Sequence, residues 1–238
     1  MTNRFSSKVV LVTGGTGGLG RAVTLAFLHE GASVITTYIK KEEADGLRDA
    51  VGRNAHLEIL PVDATDENAC RNLVDSITAR HGRLDVLVNT IGGYAGGKAL
   101  WETDPETWRM MLTLNLDAGY NMARAVAPAM LREKGGAIVS IASKAAVDHA
   151  AGAAAYAASK AAALALFDCL AQDLKGTGVR CNSILPSIID TEANRAAMPG
   201  AEFSKWPRPE QIARVVLFLC SDEAAVVHGA AIPVYGES

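Results

Sequence analysis

The sequence predicts an α/β fold, a doubly wound, seven-stranded parallel sheet with helices on both faces, in one domain spanning residues 1–238. Three observations predict it. Short β-branched apolar runs alternate with helical stretches from one end of the chain to the other, the β-α-β-α order that builds a parallel sheet covered on both sides. The chain has 238 residues, 49% of them hydrophobic, enough for one substantial core. A glycine-rich turn stands between the first strand and the first helix, about ten residues from the start.

The elements follow in order. Lys8–Val12 is a buried strand closed by Thr13-Gly14, and the turn Thr13-Gly14-Gly15-Thr16-Gly17-Gly18-Leu19-Gly20 leads into a helix through Ala22, Val23, Leu25, Ala26 and Leu28. A strand, a glycine turn and a helix in that order form the context of a Rossmann dinucleotide fingerprint. Glycines allow the backbone to approach a pyrophosphate, and the helix N-terminus offers free N–H groups and the positive end of a dipole. Ala32–Tyr38 is the second strand. An NAD-type unit carries an acid about 20 residues after the glycines. Here Tyr38, Ile39, Lys40 and Lys41 stand instead, before Glu42 and Glu43. A basic pair suits a 2′-phosphate, and the Thr16 hydroxyl adds a donor, so NADP(H) is favoured, with NAD(H) possible; Lys40 and Lys41 also suit a solvated helix start.

Leu57–Asp63 is the third strand, with Asp63 where open α/β sheets bind ligands, although Asp63 and Asp66 both suit a helix cap. A helix covers Glu67 to His81. Leu84–Asn89 is the fourth strand, ending in Asn89. The loop after it, Gly92-Gly93-Tyr94-Ala95-Gly96-Gly97, has four glycines in six residues, the pattern of backbone close to a ligand or of a flap, with Tyr94 a candidate substrate contact. Asp104-Pro105 opens a long helix with Asn115 in its interior, a poor helical residue whose presence points to a buried or functional role. Gly136–Ser143 is the fifth strand, with Ser143 at its carboxyl end, and Val179–Leu185 is the sixth, stopped by Pro186. The polar segment up to Ser204 reads as a lid-like loop. Pro209 starts the last helix, and Ala230–Val234 is a final strand that Pro233 assigns to an edge.

Between the fifth and sixth strands lies an Ala- and Leu-rich helix, Gly152 to Leu174, carrying Tyr156 and Lys160. Spacing of four places both on one face, about one turn apart. A nearby ammonium lowers a phenol pKa and makes it usable for proton transfer near neutral pH. Asp148 and His149, after Ser143, are further candidate substrate contacts.

Composition narrows the function. Net charge is −3, with no basic excess for nucleic acid. Cys70, Cys169, Cys181 and Cys220 are widely spaced, so neither a metal site nor a redox dithiol is expected, and free thiols suit a cytoplasmic protein. No leader is evident and no apolar run reads as a membrane span. Gly-x-Ser-x-Gly is absent, which leaves acyl transfer unsupported.

Over essentially its whole length the chain resembles the short-chain dehydrogenase/reductase family. The pattern T-G-x-x-x-G-x-G matches Thr13, Gly14, Gly18 and Gly20; the Asp after the third strand matches Asp63; the fourth-strand Asn matches Asn89, with Thr90-Ile91-Gly92 replacing the usual Asn-Ala-Gly. The Pro-Gly after the sixth strand is Pro186-Ser187, and the downstream Thr is Thr191. The family's catalytic tetrad falls on Asn115, Ser143, Tyr156 and Lys160, with Ser and Tyr thirteen positions apart as usual. The resemblance implies an NAD(P)(H)-dependent oxidoreductase that interconverts a carbonyl and a secondary alcohol by hydride transfer, with Tyr156 as acid and base. Ser143 would bind the carbonyl, Lys160 would hold the nicotinamide ribose and lower the Tyr156 pKa, and Asn115 would position a water. It implies cofactor contacts from Gly14, Thr16, Gly18, Leu19, Gly20, Tyr38, Lys40, Asp63, Ala64, Asn89, Gly92, Tyr156, Lys160, Pro186, Ile189 and Thr191, and assembly as a homodimer or homotetramer. Gly92 to Gly97, Lys144 to Asp148 and Leu185 to Trp206 also resemble the dihydropteridine reductase branch, which typically lacks the tetrad Ser and Asn and has an Asp after the second strand. Pterin reduction and a non-catalytic dinucleotide sensor therefore stand as alternatives.

Overall fold

A computed structural model describes residues 3–238. Seven parallel strands form one sheet in the order β3-β2-β1-β4-β5-β6-β7: β1 Val9–Thr13, β2 Ser33–Tyr38, β3 Leu57–Pro61, β4 Val86–Asn89, β5 Gly136–Ile141, β6 Val179–Pro186 and β7 Ala231–Val234. The central strands β1 and β4 are buried along their whole length because helices cover both faces. On one face Leu11, Leu87 and Ile138 pack under α3 (Glu67–His81), α5 (Ala118–Glu133) and α6 (Ala154–Asp173), through Ile77, Met122 and Phe167. On the other, Val10, Val12, Val88 and Val139 pack under α1 (Gly18–His29) and α8 (Pro209–Cys220), through Phe27, Ile212 and Val216. The α2 helix, Lys41–Val51, follows β2.

Strand order reverses between β1 and β4. At that switch point Thr13 and Asn89 are paired in register, and the Thr13 hydroxyl donates to Asn89 Oδ1 at 2.7 Å. In open α/β sheets ligands bind at such a crevice, outside the carboxyl ends of the strands.

Several expected elements differ in detail. The third strand stops at Pro61, two residues before Asp63. Asp66 caps α3, accepting from the Asn68 and Ala69 amides, which leaves Asp63 to close its own turn through Thr65. The long helix after Asp104 has three parts: α4 (Pro105–Leu112), a π turn at Thr113–Asp117, and α5. The segment expected to be a lid-like loop holds α7 (Glu192–Ala197) and a 3₁₀ turn at Phe203–Lys205. Thr191 caps α7 by accepting from the Asn194 amide, and Arg195 pairs with Asp190 at 2.8 Å. Six residues are too few for a helical period to register in the sequence. Against expectation, α6 is long and apolar enough, by length and composition alone, to cross a membrane. Here it packs on the sheet and buries Lys160. Pro233 does lie on the edge strand β7.

Candidate active site

The glycine loop leaves β1 beneath the N-terminus of α1. A side chain at Gly20 would begin 2.2 Å from the Gly14 carbonyl oxygen, so only glycine lets the loop fold back on itself. The Gly14 amide donates to Thr37 Oγ1 at 3.0 Å, and Leu19 is buried against the core. Gly17 caps α1 without a side-chain bond, and no acid stands in the first turn. The helix thus presents unclaimed N–H groups to an anion, the chemistry a pyrophosphate needs. Gly18 faces Thr191 across the cleft, bringing the first loop against the cap of α7. Ile189 accepts from the Asn194 side chain at 2.8 Å, and buried Pro186 ends β6 on the same side. This cradle fits a dinucleotide.

At the end of β2 the arrangement is more mixed than two adjacent lysines suggested. Lys40 Nζ donates to Glu43 Oε1 at 3.2 Å, and the Thr16 hydroxyl donates to Glu43 Oε2 at 3.4 Å. Glu43 therefore stands between the two expected 2′-phosphate donors. Tyr38 lies under the Arg48 guanidinium, 5.6 Å from ring centroid to carbon. Further along the crevice, Ala64 is buried and its carbonyl accepts from Asn121 at 3.1 Å. Asp63 is exposed.

The four expected catalytic residues come from three elements. Tyr156 and Lys160 lie on α6, Ser143 follows β5, and Asn115 sits in the π turn, a kind of helix defect frequent at functional sites. Asn115, Ser143 and Lys160 are buried. Asn115 reaches across to the Gly92–Gly93 loop, accepting from the Gly93 amide at 2.9 Å and donating to its carbonyl at 3.1 Å. Ser143 accepts from the Ala145 amide at 3.1 Å. Lys160 Nζ donates to the Ile141 carbonyl at 3.1 Å, and a side chain on Gly92 would begin 2.9 Å from it.

Electrostatics correct one expectation. Tyr156 is not held below its usual pKa. Burial pushes it up, Tyr94 adds to the rise, and the Ser143 hydroxyl opposes it. Lys160 itself is driven down from 10.5 to about 8 by burial. Its ammonium donates to a backbone carbonyl, and burial rather than Lys160 sets the direction of the Tyr156 shift.

Of the expected substrate contacts, Tyr94 is brought to the site. Its ring stands edge-on to Tyr156 with centroids 5.0 Å apart. Asp148 and His149 are both exposed, and Asp148 pairs with Lys144 at 3.6 Å, whose ammonium lies over the Tyr235 ring. Two residues that the sequence reading gave no role belong to the site. Glu43 is an acid only slightly further along than the NAD-type position. Ser159, fully buried, is a polar residue on the packed face of an Ala-rich helix.

A glycine-cradled α/β sheet with a Tyr, Lys, Ser and Asn at its carboxyl edge defines a nucleotide-dependent oxidoreductase. The short chain dehydrogenase family model matches residues 8–201. The 3-oxoacyl-[acyl-carrier-protein] reductase of Thermotoga maritima is 33% identical, with 98% of each chain covered. The meso-2,3-butanediol dehydrogenase of Serratia marcescens is 32% identical, over 98% of this chain and 95% of that one. Among solved structures, a short-chain type dehydrogenase/reductase from Mycobacterium ulcerans superimposes with a TM-score of 0.92 at 31% identity, covering 98% of this chain and 90% of that one. ElxO with NADP bound superimposes at 0.90 with 26% identity, covering 96% and 97%. The chain belongs to the short-chain dehydrogenase/reductase family. It is an NAD(P)(H)-dependent oxidoreductase that acts on carbonyl and secondary alcohol groups.

Proposed function

We propose that Asn115, Ser143, Tyr156 and Lys160 carry the reaction, within a chain that works as one domain. The observation that carries this reading is Tyr156, half-buried on α6 beside Ser143, one turn from a buried Lys160. A bound nicotinamide supplies or receives the hydride. Ser143 and Tyr156 orient the substrate oxygen. In reduction, Tyr156 gives its proton to that oxygen as the carbonyl carbon becomes CH–OH; in oxidation it takes the proton back. Burial keeps the phenol protonated at neutral pH, the form that reduction consumes. Two oriented hydroxyls stabilise the developing alkoxide without reorganising solvent. Lys160 holds the nicotinamide ribose, and Asn115 positions a water for proton exchange. Tyr94 forms a wall of the substrate site.

The cofactor we favour is NADP(H), from Lys40 and the Thr16 hydroxyl and from the NADP bound in ElxO. The substrate we favour is a ketone or secondary alcohol of the kinds named by the relatives, a 3-oxoacyl thioester or a vicinal diol. Pterin reduction rests on loop residues alone, and the presence of all four tetrad types speaks against a sensor. The four free cysteines accord with a cytoplasmic location. The exposed side of α6, with Trp108, Met110 and Tyr120 on α4 and α5, suits helix packing in a homodimer or homotetramer.

Tyr156→Phe tests the mechanism. With acetoin and an acetoacetyl thioester as ketones and NADPH as reductant, turnover is expected to fall by about 10²- to 10⁴-fold while NADPH binding persists. Near-normal rates would sink the assignment.

A further inference from the structure

We propose that Ser159 is a positioning residue for this reaction, locking the Asn115 amide in the orientation that turns its oxygen toward the Gly92–Gly93 backbone, which Lys160 also borders. The inference rests on the reading of Asn115 as part of the catalytic set.

Ser159 is wholly buried on an otherwise Ala-rich stretch of α6. An unbonded hydroxyl there would be costly, so its bonds say why it is tolerated. A serine hydroxyl has one proton to give. Ser159 gives it to the Tyr156 carbonyl, 2.8 Å away, and its remaining lone pairs can only accept. The group facing them is the Asn115 side chain, at 3.0 Å. That group must therefore be the NH₂ end of the amide, and the rest of the network agrees. The same nitrogen donates to the Gly93 carbonyl at 3.1 Å, and the oxygen accepts from the Gly93 amide at 2.9 Å.

The oxygen also borders the Gly92 backbone, as Lys160 does. A methyl carbon built on Gly92 would fall 2.8 Å from Asn115 Oδ1 and 2.9 Å from Lys160 Nζ, so the two flank the same point. Flipped, Asn115 would set its donor against the Gly93 N–H, while its oxygen met the Ser159 oxygen. Ser159 thus ties three parts of the site together: the helix of Tyr156 and Lys160, the π turn of Asn115, and the glycine loop after β4.

The test uses the full-length enzyme with NADPH and acetoin or the acetoacetyl thioester, whichever turns over faster. Ser159→Ala, Ser159→Thr, Asn115→Ala and the double variant Ser159→Ala/Asn115→Ala are compared for kcat, KM and thermal midpoint. Ser159→Ala is expected to lower kcat about tenfold, the scale of one well-made hydrogen bond, with KM for NADPH held within about twofold. Ser159→Thr, which keeps the hydroxyl, should recover much of that loss. In the Asn115→Ala background, Ser159→Ala should cost nothing more, because its target is gone. Two results overturn the proposal while leaving the catalytic set standing. One is an unchanged kcat in Ser159→Ala alongside a collapsed Asn115→Ala. The other is losses that multiply in the double variant. Normal turnover in Asn115→Ala instead removes Asn115 from the catalytic set, and this proposal with it.

Discussion

Lys160 is a charged group held where charge is unwelcome. Among the described residues its side chain donates to the Ile141 carbonyl alone, and burial brings its pKa from 10.5 to about 8. The sign of the stability effect follows. Between those two values the unfolded chain binds a proton that the folded chain does not, so folding becomes more favourable as pH rises through that window. Below pH 8 the folded protein carries the full burden, about 3 kcal/mol. In the cofactor-free protein, Lys160→Met is expected to raise the thermal midpoint at pH 7 relative to the parent. The gain should shrink as both are compared from pH 8 to 10.5, and turnover should be lost. A lower midpoint at pH 7, or a gain undiminished at pH 10.5, contradicts this account. The Tyr156–Lys160 pair was legible in the sequence because spacing of four on a helix is a local property. The direction of the Tyr156 shift was not, because it is set by burial in the folded chain, which Tyr94 reinforces and Ser143 opposes. Ser159 was illegible for the same reason: its meaning lies in Asn115, 44 residues away.

At the scale of elements, the turn from β2 into α2 is where we place the choice of dinucleotide. Lys40 was legible as a cation in place of the NAD-type acid. What the fold adds is Glu43, which the first turn of α2 swings back toward both Lys40 and Thr16. A 2′-phosphate must draw Lys40 away from that carboxylate. Lys40→Glu would set two carboxylates there, and kcat/KM for NADPH relative to NADH is expected to fall on the order of tenfold or more. An unchanged ratio would refute the role given to Lys40. The π turn at Thr113–Asp117 and the short α7 lay beyond sequence reading. A π turn differs from α-helix by one residue of phase, and α7 is defined by its Thr191 cap and Asp190–Arg195 pair rather than by an apolar stripe.

For the whole molecule, the strand order puts the glycine loop, Asn89, Ser143 and Pro186 at one edge of the sheet, since every strand runs the same way. The helices on one side leave Trp108, Met110, Tyr120 and much of α6 uncovered. Sedimentation is expected to report a dimer or tetramer, and a monomer at micromolar concentration would overturn the packing role given to that surface. The architecture was readable because each part of it is local. Apolar runs, a glycine turn and helical periods recur in an order that leaves few topologies open. The sequence by itself determined the class of fold, the glycine cradle and the chemical types at the carboxyl edge of the sheet. Only the tertiary structure decided how those groups are charged and aimed. Burial of Lys160, the Glu43 contact with Thr16 and Lys40, and the Ser159 bond to Asn115 join residues far apart in the chain, and their energies depend on distances and desolvation that no local pattern encodes.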